Sequence, residues 1–201
     1  MNSSTTDEAR IDRERVAAFQ SGDRSVFDAI VITHQDMIFG LCCRILDDRN
    51  DAEEVAQETF VRAFEALDTF RSESALSTWL YRIAVNLCKN HIESLHNRMK
   101  RKFVRIADDG ARREEDGPGV VLGSEVHSPA VLAERREVSD VVASAINRLR
   151  PDQKIVVILA DMEGRPYEEI AQMIGEKIGT VRSRLNRARE FLKSELRGFV
   201  T

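Results

Sequence analysis

The chain has 201 residues, 42% hydrophobic and 32% charged, a balance that allows a core with wide polar faces and excludes wholesale disorder. The stretch Met1 to Asp12 is polar and acidic, without a signal-peptide layout, and no run approaches the roughly 18 apolar residues of a membrane span, so a cytosolic protein without membrane insertion is expected. The net charge of −4 argues against a nucleic-acid partner only as an average: residues 71–107 hold eight Lys/Arg against two Asp/Glu, and residues 178–201 hold six against two. Phosphate contacts need a local basic surface rather than a basic protein.

From Phe27, an apolar stripe runs through Ile30, Val31, Met37, Ile38, Leu41, Cys42 and Ile45 in helical steps and predicts one long helix. Asp47 to Asn50 breaks it. Asp51 with Glu54 then reads as a capping pattern. The next helix turns Ala52, Val55, Ala56, Phe60, Ala63, Phe64 and Leu67 inward and shows Glu53, Gln57, Glu58, Arg62 and Glu65 on its other face. Thr69 to Ser77 is a polar loop. Ser77 or Thr78 caps a third helix that buries Trp79, Leu80, Ile83, Ala84 and Leu87 and grows basic toward Arg105.

Residues 108–129 are rich in Asp, Glu, Gly and Pro and read as a flexible acidic linker. Periodicity resumes with Val138, Val141, Val142, Ala145, Ile146 and Leu149. Ile155 to Leu159 is a continuous apolar run that suits either a buried strand or a helix packed on most sides, and its helical neighbourhood favours helix. The fold expected is all-α: two small helical domains, at 12–106 and 130–197, joined by a linker at 107–129.

Near the C-terminus, Pro166 suits a first helical position, and Ala171, Gly175 and Val181 have the spacing of a helix-turn-helix. A small residue permits the close crossing, Gly supplies a positive φ in the turn, and an apolar residue fixes the second helix. That second helix carries Thr180, Arg182, Ser183, Arg184, Asn186, Arg187 and Arg189 opposite Ile178, Val181, Leu185, Ala188 and Leu192. Arg bonds guanine edges bidentately and Asn does so to adenine, so this face suits the major groove. Trp79, Tyr81, Arg82, Asn86, Lys89 and Asn90 mix aromatic, amide and basic groups, which suits single-stranded or opened DNA; taken alone, a core Trp flanked by solvated charges explains them better.

No catalytic, cofactor or metal motif emerges. Cys42, Cys43 and Cys88 lack metal-ligand spacing, an odd count speaks against a disulfide framework, and core packing is the expected role. His34, His91, His96 and His127 are scattered and expected at surface or boundary. Asp47, Asp51 and Glu58 fall at positions one, five and twelve of a calcium loop, but Arg49 and Ala52 stand where a ligand and a Gly are needed.

Three ordered strings resemble the bacterial extracytoplasmic-function sigma factors of the RpoE-like type. They are residues 51–58 (DAEEVAQE) with 60–64 (FVRAF); Phe70-Arg71 with 77–86 (STWLYRIAVN); and 167–171 (YEEIA) with 179–190 (GTVRSRLNRARE). The resemblance implies a promoter-specificity subunit of RNA polymerase acting in a stress or envelope response, with no catalysis and no cofactor. Its implied partners are polymerase core (the β′ clamp and the β flap), promoter DNA and an anti-sigma factor, often membrane-anchored. It implies core binding by Asp51, Glu54, Gln57, Glu58, Phe60 and Arg62. The minus-10 element falls to Arg71, Trp79, Arg82, Asn86, Lys89 and Asn90, and the minus-35 element to Thr180, Arg182, Ser183, Arg184, Asn186 and Arg187. Leu76 departs from the commonest pattern, where an aromatic is frequent. The linker residues 108–129 reach roughly 70–80 Å when extended, enough for elements roughly 50 Å apart. A helix-turn-helix regulator acting without polymerase core is the alternative. A serine recombinase lacks a suitable nucleophile setting, and a pure protein-interaction adaptor would be favoured only by failure to direct polymerase core to any promoter.

Overall fold

The computed structural model describes residues 3–106 and 140–198, with side chains placed over 7–95 and 140–198. The expected linker at 107–129 therefore lies outside the described residues. The described residues are helical, with no strand among them, and they form two compact bodies.

The first body is built around α2 (Val26–Ile45), whose buried stripe is Phe27, Ile30, His34, Ile38, Leu41, Cys42 and Ile45. Val31 and Met37, expected inside, are only half-buried. Helix α2 is long and apolar enough to cross a bilayer by length and composition, contrary to the expectation that no run approaches a span. Its stripe is nevertheless that of a core helix, packed by α1 (Ser3–Gln20) and α3 (Arg49–Ala66).

Helix α1 was not legible as a helix because only Val16 and Phe19 mark its inner face; the third buried position is Asp12. Asp12 accounts for His34, which was expected at the surface and is buried: Nε2 of His34 lies 3.1 and 3.2 Å from the two Asp12 carboxylate oxygens. A buried imidazole is tolerated where it is hydrogen-bonded.

Helix α3 starts two residues before the expected cap. The cap is Asp48, whose Oδ1 accepts from the backbone N–H of Asn50 and Asp51. Its buried face is Ala52, Val55, Ala56, Thr59 and Ala63. Phe60 is half-buried. Phe64, expected inside, is 42% exposed, with its ring set edge-on to Phe19 and Phe27. A 3₁₀ turn (Leu67–Thr69) ends the segment.

Helix α4 (Leu76–Ile106) begins at Leu76, so Ser77 and Thr78 lie inside its first turn instead of capping it. It buries Leu76, Leu80, Tyr81, Ala84, Val85 and Cys88, while Trp79, Ile83 and Leu87 are half-buried. Cys88 Sγ sits 3.8 Å from Cys42 Sγ on α2, both buried and neither in a disulfide. Burial also pushes the Cys43 thiol up, an effect that nearby Arg49 only partly opposes. A thiol held protonated in the folded state contributes stability below its ordinary titration range and loses it as pH rises through the raised value. Alkylation of Cys43 by iodoacetamide is therefore expected to reach half its maximal rate at a higher pH than a free model thiol, measured by mass spectrometry of the labelled peptide.

The second body contains α5 (140–147), α6 (Pro151–Val157) continuing into a π-turn (Ile158–Met162), α7 (Tyr167–Ile174) and α8 (Ile178–Glu195). The apolar run Ile155 to Leu159 is wholly buried and helical, packed by α8. The π-turn in its second half was not foreseen. Helix α7 begins at Tyr167 with Pro166 as its cap, one residue later than expected, and ends at Gly175, which adopts φ +68° and ψ +33°. A Cβ at Gly175 would meet no atom within 4 Å, so the cost of one is conformational alone. Gly175→Ala should lower stability by about 1 kcal/mol and Gly175→Asn should recover part of it, read from urea unfolding.

Candidate nucleic-acid interface

Helix α8 is positioned by a fully buried stripe, Val181, Leu185 and Ala188, and is preceded by the tight turn Gly175 to Lys177. The Glu176 N–H donates to the Ala171 carbonyl at 2.9 Å, which closes that turn. Ala171 and Val181 are both buried, as the helix-turn-helix spacing requires. The exposed side of α8 carries Arg182, Ser183, Asn186, Arg187 and Arg189, with Thr180 half-buried at its start. The Ser183 hydroxyl donates back to the Thr180 carbonyl at 3.0 Å.

The arginines of α8 divide into two kinds. Arg184 is half-buried; its Nε lies 3.1 Å from Asp152 Oδ2 at the start of α6, and its Nη2 donates to Glu176 Oε1 at 3.0 Å. Arg189 makes a two-pronged pair with Asp161 of the π-turn, and that hydrogen-bonded carboxylate, with Tyr167 adding to it, keeps its guanidinium firmly charged. Arg182 and Arg187 have no ion pair among the described residues, and their charge faces solvent. Sequence reasoning grouped Arg184 with the free residues, because its partners stand eight and 32 positions away and no local pattern joins them.

In the first body, Arg71 is exposed in the connection to α4, next to Ser72, which holds φ +54°. Trp79 is half-buried with its ring 4.9 Å from that of Phe70, tilted by 38°. Arg82, Asn86, Lys89 and Asn90 are exposed and follow Trp79 in steps of three and four, forming one stripe along α4. Tyr81, grouped with them from sequence, is 1% exposed and belongs to the opposite, core face.

On α3, Glu54 and Gln57 are exposed. Glu58 accepts from Arg62 Nε at 2.7 Å, and Arg62 reaches Glu65 at 3.6 Å, an acidic–basic network along the outer face. Asp51 is turned toward α4: its Oδ2 stands 3.0 Å from His91 Nε2, off the line of a hydrogen bond. Val61, at 51% exposure, and Phe64 add apolar surface beside these charges.

The Sigma-70 region 2 model matches residues 30–98, and the Sigma-70 region 4 model matches residues 139–192. RNA polymerase sigma-H factor of Pseudomonas aeruginosa is 38% identical over 185 residues, covering 92% of this chain and 93% of that one. The chain belongs to the extracytoplasmic-function sigma factors. The sigma-E factor of Haemophilus influenzae is 36% identical over 95% of both chains, and that of Escherichia coli K12 is 34% identical over 100% of this chain and 99% of that one. Among solved structures, CnrH in complex with the cytosolic domain of CnrY is 26% identical, covers 93% of this chain and 97% of that one, and gives a TM-score of 0.61. The sigma factor RpoE of Bartonella quintana, solved with the anti-sigma factor NepR, is 24% identical, covers 85% of this chain and 96% of that one, with a TM-score of 0.60, a likeness of fold. Sigma factors are specificity subunits, not enzymes.

The two kinds of arginine predict two kinds of defect. Arg184→Ala should destabilise the protein by about 1–2 kcal/mol, because Asp152 and Glu176 lose a shared partner that is three-quarters buried. Arg182→Ala should leave the melting curve in place, and differential scanning fluorimetry on both variants separates the cases.

Proposed function

We propose that this sigma factor directs RNA polymerase core to promoters by holding two promoter elements with its two bodies. The body at 130–197 reads the minus-35 element through α8, and the body at 12–106 binds core and opens the minus-10 element. The observation that carries this reading is the division on α8: Arg182, Ser183, Asn186 and Arg187 stand exposed on the helix that follows the tight turn, and the two arginines among them have no ion pair among the described residues. Thr180 borders this set, and Arg184 serves it from behind by bracing the turn.

The stripe Trp79, Arg82, Asn86, Lys89 and Asn90, with Arg71 beside it, offers a ring, amides and positive charge to unpaired bases and their phosphates. The outer face of α3, with Glu54, Gln57, Glu58, Phe60 and Arg62, is the surface for core, and Asp51 supports it through α4. The charge–apolar mixture there, including Val61 and Phe64, suits a protein partner on the polymerase clamp. An anti-sigma factor covering the same face would keep the protein inactive until a stress signal releases it. The site of action is the cytoplasm, on the polymerase itself.

The test is in-vitro transcription from a random-sequence promoter library with core enzyme and this chain. Core-dependent initiation at a two-part promoter is expected; DNA binding without core-dependent initiation would support a stand-alone regulator and sink the proposal. Arg182→Ala and Arg187→Ala should each weaken minus-35 dependence about tenfold or more while core binding is retained.

A further inference from the structure

The connection from the 3₁₀ turn to α4 carries backbone that does not hold itself. Ser72 adopts φ +54°, a region that costs a residue with a Cβ roughly 1–2 kcal/mol. Such a conformation persists where the surroundings impose it. On the α4 side, Leu76 is buried and fixes the end of the loop. On the other side, the anchor is supplied from the far end of α1. Gln20 Nε2 donates to the Leu67 carbonyl at 3.0 Å and to the Phe70 carbonyl at 2.9 Å, with the Asp68 carbonyl at 3.5 Å. The Leu67 carbonyl also accepts from the Phe70 N–H at 3.2 Å, which closes the 3₁₀ turn, and Gln20 adds a second donor there and reaches the Phe70 carbonyl just beyond it.

Four residues on, Arg24 closes a second tie. Its guanidinium is bidentate to Asp68, at 2.9 and 2.8 Å, and lies 4.2 Å over the Phe19 ring. Phe70, fixed by its carbonyl, carries the ring that packs on Trp79. Gln20 is exposed, and Arg24 and Asp68 are about half exposed, so these ties add little to global stability. They are specific in geometry instead. Both residues lie before residue 30, where the region 2 match begins.

We propose that Gln20 and Arg24 are positioning residues for promoter opening: they hold the 67–70 corner, and through Phe70 they set Trp79 and the loop bearing Arg71. The proposal rests on the reading of Arg71 to Asn90 as the minus-10 opening element. Neither residue touches DNA; both act through the corner.

The experiment uses the full chain. Trp79 is its only tryptophan, so intrinsic fluorescence reports the Phe70–Trp79 packing without a label. Gln20→Met keeps the length and removes both donors, and Gln20→Glu sets a carboxylate against the carbonyls. Both variants should change the Trp79 emission maximum or its acrylamide quenching, leave the melting temperature within about 2 °C of the parent, and leave core binding unchanged. With core enzyme on a library-selected promoter, both should form open complexes about tenfold less well on duplex DNA, and markedly less impaired on a template already unpaired across the minus-10 element. Arg24→Ala should repeat the pattern by an independent route.

Unaltered Trp79 emission together with unaltered opening would overturn the proposal. So would an equal loss on duplex and unpaired templates accompanied by a lowered melting temperature, which marks a folding role. A parent protein that opens no promoter would instead defeat the underlying reading, and the fluorescence would still report whether Gln20 governs Trp79.

Discussion

Helix α2 presents an apolar stripe from Phe27 to Ile45 that water would penalise along its whole length, and the first body is an arrangement for covering it. Helix α3 covers one flank and α1 another, and α4 reaches α2 at the Cys42–Cys88 contact. The polar position of the stripe is absorbed as well: His34 takes Asp12 from α1, and beside it Arg15 of α1 donates to the exposed Thr33. Once α1 is committed to that flank, its C-terminal end falls beside the 3₁₀ turn, and the geometry of the loop leading to α4 follows from core packing.

Helix α4 shows how one element serves two masters. Leu80, Tyr81, Ala84, Val85 and Cys88 face the core, while Arg82, Asn86, Lys89 and Asn90 face solvent, so the same turns that bury one stripe display the other. A residue cannot move between the two without rotating the helix, which is why Trp79 sits at the boundary. Its ring is supported by Phe70 on one side and accessible on the other side of the stripe's start.

The helices were legible where apolar residues recur every three or four positions, as in α2, α3 and α8, and the turn at Gly175 was legible because few residues tolerate its φ. Three things were not. Helix α1 has two apolar core residues and a buried Asp12, too thin a stripe to stand out. The burial of His34 and the pairing of Arg184 depend on carboxylates in other segments of the chain, at spacings that no helical period links. Tyr81 was grouped with Trp79 and Arg82 by residue type, which alone does not fix helical phase; the neighbours Leu80 and Ala84 decide it. The region 4 site was the more readable because its exposed and buried faces were both marked by type, whereas the ties from Gln20 and Arg24 connect segments more than forty residues apart.

The pairing of Arg184 and Arg189 within the second body has a consequence for how binding responds to ionic strength. The ions released on binding are the cations condensed on DNA, and a guanidinium already neutralised by an internal carboxylate displaces fewer of them from phosphate than one left free. Of the four arginines from Arg182 to Arg189, two are thus spent in advance as internal counter-ions, by Asp152, Glu176 and Asp161. The helix keeps the helical stiffness and solubility that four arginines confer while exerting the long-range, sequence-blind attraction of two. If α8 faces DNA as proposed, that restraint favours discrimination between sequences over sheer adhesion.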